Sequence, residues 1–185
     1  MHPVPNEITQ VYAQADELYS AADVSAAIDR MAEAINSTMG DRNPVVYSVM
    51  NGALVLTGHL VTRLTFPLEI SYLHATRYRN ETHGSSLDWR AFPMQDVKDR
   101  SVLIVDDIYD EGGTLAAIVD HCHAAGAEEV RVAVLINKIH DRKVRPDMAI
   151  DYIGLECVDR YVFGFGMDYK GYWRNAPGIY AVKGM

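Results

Sequence analysis

The sequence predicts an α/β fold in which a mainly parallel central sheet is flanked by helices on both sides. Segments with apolar residues at helical spacing alternate with apolar runs of about one strand's length. Such runs are typical of strands buried on both faces, as in parallel sheets. In the segment VLIVDDIYDEGGTL, residues 102–115, one of these runs leads directly into carboxylates and a glycine pair. Such a transition is typical of a strand that ends at a binding site.

The first predicted helix covers residues 24–39, where Val24, Ile28 and Met31 lie one helical turn apart and Gly40 follows as a stop. Residues 53–64 and 114–125 show the same kind of spacing and are predicted helices. The predicted strands cover residues 44–50, 68–76, 102–105, 129–136, 150–158 and 179–182.

Residues 77–100 show little periodicity and are too many for an ordinary connection of ~4–6 residues. The segment is polar, and it contains aromatic and basic side chains. We expect a flexible lid that closes on a ligand; an excursion hairpin and a disordered stretch are the alternatives.

Composition predicts one compact domain over residues 1–185. The chain has 185 residues, 49% hydrophobic and 23% charged, without a repeat or a clear linker. Its net charge of −8, from 17 basic and 25 acidic residues, argues against nucleic acid as a partner.

Cysteine usage and hydropathy predict a cytoplasmic protein without a membrane span. Cys122 and Cys157 are too few for a disulfide framework, and no apolar run approaches the ~20 residues that cross a bilayer. The first ten residues lack the features of a secretion signal.

His121 and His123 flank Cys122, but residues two apart on a helix point away from each other, so zinc is not expected.

The carboxylates of the 102–115 segment are the first candidate site. Ligands of open parallel sheets gather at the carboxyl ends of strands, where Asp106, Asp107 and Asp110 are predicted to lie. Backbone amides of the next four residues, at the start of a helix, form a cradle for phosphate. These four residues are Glu111, Gly112, Gly113 and Thr114.

A carboxylate cluster beside a phosphate cradle restricts the ligand. Carboxylates repel phosphate, so they face either vicinal hydroxyls or a magnesium ion. The pattern predicts a sugar phosphate with a metal nearby. A Walker loop and a complete dinucleotide fingerprint are both absent from the sequence.

The segment VLIVDDIYDEGGT resembles the phosphoribosyl-diphosphate (PRPP) signature of type I phosphoribosyltransferases. Three further segments resemble the 6-oxopurine branch, the hypoxanthine-guanine phosphoribosyltransferases: VMNG at 49–52, LINK at 135–138 and VDRYVFGFGMDYKGYWRN at 158–175. The resemblance implies the type I phosphoribosyltransferase fold, with a small hood formed by the terminal segments.

The resemblance also implies an activity in purine salvage: Mg²⁺-dependent transfer of 5-phosphoribosyl from PRPP to hypoxanthine or guanine, giving IMP or GMP and pyrophosphate. Relatives are commonly homodimers or homotetramers. Residues Glu111 to Thr114 would hold the 5′-phosphate. Asp106 and Asp107 would bind the ribose hydroxyls or Mg²⁺; Asp106 is shorter than the Glu often found in relatives, so we expect a water-mediated contact.

The resemblance assigns the purine side of the site. Asp110 matches the general base that takes the proton from purine N7. Lys138, at the end of a predicted buried strand, matches the lysine that donates to O6. Tyr161 matches the aromatic residue that stacks on the base, Val162 supplies backbone contacts, and Asp168 matches a Mg²⁺ ligand near C2.

The remaining matches concern pyrophosphate and the lid. Arg174 matches a pyrophosphate-binding arginine, and Asn51 and Gly52 match a loop that binds pyrophosphate through backbone amides. Many relatives have Lys or Arg in place of Asn51, and the Met50–Asn51 peptide of relatives can be cis. Arg77 and Tyr78 stand where the lid of relatives often has Ser-Tyr.

Three alternatives remain on the sequence. The acidic pair also resembles that of phosphoreceiver domains, although those place it near their start. A nucleotide-sensing regulator would keep the fold without chemistry. A xanthine-preferring enzyme is the third, because the sequence does not rank the three 6-oxopurines.

Overall fold

The computed structural model describes residues 3–77 and 87–184. Its helices are α1 (Asn6–Gln14), α2 (Ala21–Met39), α3 (Leu54–Val61) and α4 (Gly113–Ala124). Its strands are β1 (Asp16–Tyr19), β2 (Val45–Val49), β3 (Glu69–Arg77), β4 (Leu87–Ala91), β5 (Ser101–Tyr109), β6 (Glu129–Ile139), β7 (Tyr152–Val158), β8 (Val162–Phe163) and β9 (Ile179–Ala181).

The central sheet has the strand order β4-β3-β2-β5-β6-β7. Strands β3, β2, β5, β6 and β7 are parallel, and β4 pairs antiparallel with β3 at the edge. The predicted mainly parallel sheet is therefore confirmed.

Helices cover both faces of this sheet. All residues of β2 and the first five of β5 are buried, so side chains of both orientations lie inside the protein. Helices α2 and α3 pack against each other and against the sheet, while α4 packs against β3, β5 and β6. Helix α2 begins with a capping box between Ser20 and Asp23, and its buried stripe includes the predicted Val24, Ile28 and Met31.

A smaller antiparallel sheet, with the order β1-β9-β8, joins the two terminal segments. The Trp173 indole donates a hydrogen bond to the Ile8 carbonyl (2.5 Å), and its ring stacks on Tyr12 at 4.5 Å. This sheet and α1 are the predicted hood. We did not predict α1 and β1, because this terminal segment has little apolar periodicity; within α1 the buried residue is Ile8.

The segment predicted as a lid contains regular structure. Strand β4 pairs with β3, and Trp89 stacks on Phe92 with ring centroids 4.8 Å apart. Tyr78 lies outside the described residues, and Arg77 is described in its backbone alone, so their predicted contacts stay predictions. No helix within residues 3–77 and 87–184 is long and apolar enough to span a membrane. Cys122 and Cys157 are free and buried.

Candidate active site

Strand β5 places the acidic cluster. It runs to Tyr109, four residues further than predicted, so Asp106 and Asp107 lie within the strand and Asp110 follows it directly. Here β5 pairs in parallel with β6, with Asp106 opposite Val134. The carboxyl ends of both strands therefore contribute side chains to one edge of the sheet.

The turn after β5 requires glycine. Gly112 has a φ of +77°, in the left-handed region, and a Cβ there would lie 2.1 Å from the Tyr109 ring. Helix α4 begins at Gly113, and no side chain caps its N-terminus. The first amides of α4 are thus available to an anion.

Two adjoining pockets lie at this edge. The first is lined by Asp106, Asp107, Ile108, Asp110, Glu111, Gly112, Gly113, Thr114 and Leu115. The second is lined by Asp107, Ile108, Asp110, Lys138, Tyr161, Val162, Met167 and Asp168. The structure thus collects the predicted phosphate cradle in one pocket and the predicted purine residues in the other. Asp107, Ile108 and Asp110 border both.

Asp110 is held by two basic side chains from the end of β6. Its Oδ2 accepts a hydrogen bond from Lys138 Nζ at 2.8 Å, and its Oδ1 lies 2.7 Å from His140 Nε2. Partial burial acts to raise the pKa of Asp110, but the hydrogen bonds from Lys138 and His140 outweigh it and lower the pKa below 3.8. Asp110 is therefore ionised at neutral pH.

Sequence reasoning missed His140. It lies one residue beyond the end of β6, outside every motif of the sequence. Asp159 extends the group: it lies 3.6 Å from Lys138 Nζ and accepts two hydrogen bonds from Arg142, at 2.6 and 3.0 Å. The hydrogen bonds from Arg142 are the main cause that lowers the pKa of Asp159 to about 2.

This group has donor atoms spaced for a cation. Oxygen and nitrogen atoms of Asp110, His140 and Asp159 lie within 4.8 Å of one another. The two carboxylates already contact Lys138 and Arg142. Their charges are compensated, so the group is an ion-pair network.

The acidic pair on β5 has the opposite electrostatic character. Burial, and then repulsion from the charge of Asp107, raise the pKa of Asp106 well above 3.8; burial also raises the pKa of Asp107. Within the described residues, no Lys, Arg or His side chain hydrogen-bonds either carboxylate; the Arg174 charge acts on Asp107 from a distance. The pair is short of positive charge.

The predicted pyrophosphate loop packs directly on this pair. The Met50–Asn51 peptide is cis, and Asn51 is exposed. A Cβ on Gly52 would lie 2.0 Å from the Asp107 carboxylate, so only glycine allows this approach. The loop therefore lies directly against the Asp107 carboxylate.

A segment after β6 braces the phosphate cradle. Lys143 Nζ donates to the Tyr109 carbonyl at 2.6 Å and lies 3.7 Å from the Tyr109 ring centroid. The Val144 amide donates to the Glu111 carbonyl at 2.8 Å, and the Tyr109 hydroxyl donates to the Arg145 carbonyl at 3.1 Å. Burial lowers the pKa of Lys143. These contacts fix the cradle relative to the end of β6.

The hood supplies the opposite wall of the second pocket. Asp168 accepts hydrogen bonds from Arg174 (2.5 Å) and from the Gly171 amide (2.7 Å), and Arg174 also donates to the Gly166 carbonyl. Tyr161 borders the pocket with 44% of its surface exposed. Val162 is buried in β8, so its backbone rather than its side chain is the group suited to ligand contacts.

The predicted metal ligands differ in how well they suit Mg²⁺. Asp106 and Asp107 fit, because neighbouring carboxylates, one partly buried and one buried and neither with a hydrogen-bonded cation, suit a hard divalent ion that retains water. Asp168 borders the same pocket as Asp107, but both its oxygens already accept hydrogen bonds. Each oxygen keeps a second lone pair, so Asp168 can still contact a metal beside these hydrogen bonds.

Comparison with known proteins identifies the family. A profile of the phosphoribosyl transferase domain matches residues 14–170, which is most of the chain. The chain belongs to the phosphoribosyl transferase domain family. The predicted membership and type I phosphoribosyltransferase fold are thereby confirmed, and the site lies on a transferase scaffold.

Individual relatives of this phosphoribosyltransferase are similar over nearly their whole length. A hypoxanthine-guanine-xanthine phosphoribosyltransferase from Tritrichomonas foetus is 29% identical over 90% of both chains. A hypoxanthine-guanine phosphoribosyltransferase from Bacillus subtilis is 29% identical over 90% of this chain and 92% of its own. The solved structure of a hypoxanthine-guanine phosphoribosyltransferase from Bacillus anthracis has a TM-score of 0.84, 26% identity, and coverage of 90% and 98%.

Proposed function

We propose that this phosphoribosyltransferase transfers the 5-phosphoribosyl group of PRPP to a 6-oxopurine in a Mg²⁺-dependent purine salvage reaction. The products are IMP from hypoxanthine or GMP from guanine, with pyrophosphate. The observation that carries the proposal is the position of Asp110 on the border between the phosphate cradle and the pocket lined by Lys138. A carboxylate at that border lies where sugar and base meet.

The proposed reaction exchanges one bond at the anomeric carbon. The bond from C1′ to the pyrophosphate oxygen breaks, and the bond from C1′ to purine N9 forms. The proton on purine N7 passes to Asp110, which is ionised and borders the pocket. Positioned proton transfer of this kind contributes roughly 10²–10⁴-fold to a rate.

Lys138 supplies the preference for a 6-oxopurine. Its buried ammonium donates to Asp110, and the O6 of a purine bound in the same pocket would be a second acceptor. Adenine carries a donor at C6, so two donors would face each other and leave the Lys138 charge unpaired. Base discrimination therefore depends on one buried charge.

Mg²⁺ is the cofactor that we propose, with Asp106 and Asp107 as the residues that would hold it, directly or through water. When bound, it would compensate the acidic pair and the charge of the departing pyrophosphate. The amides of Asn51 and Gly52 and the Arg174 guanidinium would bind pyrophosphate. Asp168 would contact the metal while it stays hydrogen-bonded to Arg174.

We further propose a cytoplasmic homodimer or homotetramer without nucleic-acid or membrane partners. Exposed apolar side chains of Leu54, Ile70 and Tyr72 offer surface for contacts between subunits. Light scattering coupled to gel filtration measures the mass of the particle. A monomer at micromolar concentration contradicts this part of the proposal.

The test of function is a turnover assay with purified protein, PRPP, Mg²⁺ and one base at a time. We expect IMP formation from hypoxanthine, followed by absorbance, with adenine as the unreactive control. Absence of turnover beside tight PRPP binding favours the nucleotide-sensing alternative. A steady-state comparison of hypoxanthine, guanine and xanthine ranks the bases, and xanthine is included because the Tritrichomonas relative bears its name.

A further inference from the structure

We propose that His140 is a positioning residue, which fixes Asp110 by donating a hydrogen bond from Nε2 to Oδ1 and so turns Oδ2 toward the purine pocket. This inference rests on the proposed function, because Asp110 is its acceptor of the N7 proton. His140 belongs to none of the motifs by which the sequence resembles its family.

The hydrogen bonds of the imidazole define its tautomer. The Arg142 backbone amide donates to His140 Nδ1 at 3.1 Å, so Nδ1 carries the lone pair. The ring proton then lies on Nε2, which is 2.7 Å from Asp110 Oδ1. A backbone group on one side of the ring thereby fixes a donor on the other side.

His140 acts from behind the site. Its side chain is 4% exposed and does not line the purine pocket, whereas Asp110 and Lys138 do. Each Asp110 oxygen has one basic partner: Oδ1 contacts His140 and Oδ2 contacts Lys138. If Lys138 turns to a purine O6, Oδ2 becomes free for the N7 proton while His140 still holds Oδ1.

The hydrogen bonds of His140 connect it directly to the carboxylate of the proposed base. The buried ring satisfies both its nitrogens, one through the loop backbone and one through the reacting carboxylate. The charged and titratable groups around Asp110 are Lys138, His140, Arg142, Lys143, Cys157 and Asp159. His140 is the one that hydrogen-bonds Asp110 without lining the purine pocket.

Three variants test the inference. His140→Phe keeps a ring and removes the donor, and we expect kcat to fall about tenfold or more, as for other groups that orient a reacting side chain, with KM for PRPP within about twofold of wild type. His140→Gln places an amide donor near Nε2 and should recover most of that loss. His123→Phe, at an exposed position of α4, is the matched control.

The pH profile separates positioning from simple loss of structure. A hydrogen bond to the ionised form lowers a carboxyl pKa, so its loss in His140→Phe raises the pKa of Asp110 and moves the acidic limb of kcat to higher pH. His140→Gln should move the limb back. Thermal melting of each variant shows whether the protein is folded at the assay temperature, so that a loss of kcat is not mistaken for unfolding.

Carboxyl ¹³C NMR provides a readout that does not depend on turnover. The Asp110 signal, assigned by its absence in Asp110→Asn, should titrate at higher pH in His140→Phe than in wild type. Equal kcat and an unmoved Asp110 titration in His140→Phe overturn the inference. If wild-type protein fails to turn over any purine, the proposed function fails, and the NMR titration still decides the role of His140.

Discussion

The end of strand β5 and the residue after it present two kinds of carboxylate within five residues. Asp107 is buried and Asp106 partly buried, both without a hydrogen-bonded cation, and their pKa values are raised. Asp110, one turn further, is paired with Lys138 and His140, and its pKa is lowered. Residues 106–110 thus contain two carboxylates without a cationic partner, Asp106 and Asp107, and one carboxylate, Asp110, that already has two.

The difference separates two chemical tasks. A carboxylate that already has cationic partners stays ionised and can accept a proton during the reaction. A pair that lacks them holds protons more tightly until a metal or hydroxyl groups arrive. Because Asp107 and Asp110 border both pockets, we expect ligand binding to change the charge of the acidic pair, while Asp110 takes part in the proposed chemistry.

The largest expected effect comes from removing the paired carboxylate. In Asp110→Asn we expect kcat to fall by about 10²-fold or more, because the N7 proton loses its acceptor, with little change in PRPP binding. Steady-state kinetics measures kcat, and calorimetry measures PRPP affinity. Asp41→Asn, whose side chain is 91% exposed, is the matched control. Unchanged turnover in Asp110→Asn would remove this carboxylate from the mechanism.

The next largest effect comes from removing Lys138, the buried cation that pairs with Asp110. Lys138→Ala should raise the purine KM by roughly 10–100-fold, since a hydrogen bond from a charged group contributes ~1.5–3 kcal/mol. The pKa of Asp110 should also rise, so that the acidic limb of activity moves to higher pH. Lys98→Ala, on an exposed residue, serves as control. A purine KM equal to that of wild type contradicts the assigned contact.

A smaller effect, with opposite signs for function and stability, is expected at the unpaired carboxylates. Asp106→Asn should raise the Mg²⁺ concentration for half-maximal rate about tenfold. It should also raise Tm by a few degrees at neutral pH, since ~1 kcal/mol corresponds to ~2–4 °C in a domain of this size.

The sign of that stability change follows from the raised pKa. Below the ordinary value of 3.8 the carboxyl is neutral in both folded and unfolded chains, so aspartate and asparagine behave alike. Above it the unfolded chain ionises first, and the folded wild type loses stability as pH rises toward the raised pKa. Melting curves at pH 3.5 and 7.5 measure the difference. A lower Tm for Asp106→Asn at pH 7.5 refutes the contrast between the two kinds of carboxylate.

The smallest effect is expected at the solvent edge of the compensated group. Arg142→Ala removes the exposed pair with Asp159 and keeps the backbone amide that contacts His140. Exposed ion pairs contribute little, so we expect kcat within about twofold of wild type. A large loss of kcat would mean that the ionised state of Asp110 depends on the exposed pair between Arg142 and Asp159.

Much of the central sheet was predictable from sequence, because its strands are apolar runs and its helices carry regular stripes. Strand β5 was predicted to end at residue 105, since carboxylates rarely continue a buried strand, yet its pairing with β6 continues to Tyr109. The hood was harder to predict: α1 and β1 contribute few apolar residues, and β8 has two residues. These elements are specified by contacts between distant parts of the chain.

The candidate site shows the same division. Motif residues such as Asp110, Lys138 and Tyr161 were found from the sequence, and the structure brings them to one pocket. His140, which hydrogen-bonds Asp110, was not found from the sequence, because a histidine after a strand has no distinctive neighbours in sequence. Nor does sequence give the charge state of a carboxylate, which depends on burial and on side chains 30 residues away.

The hood has a consequence for biosynthesis. Its central strand, β9, pairs with β1 across some 165 residues of chain, from Asp16 to Ala181. During translation β1 therefore cannot pair until β9 has been synthesised, while the large sheet can already form. The wall that the hood supplies to the proposed purine pocket is complete only after residue 181 leaves the ribosome. Ribosome-bound chains stalled before that point should therefore bind the sugar diphosphate more readily than the purine.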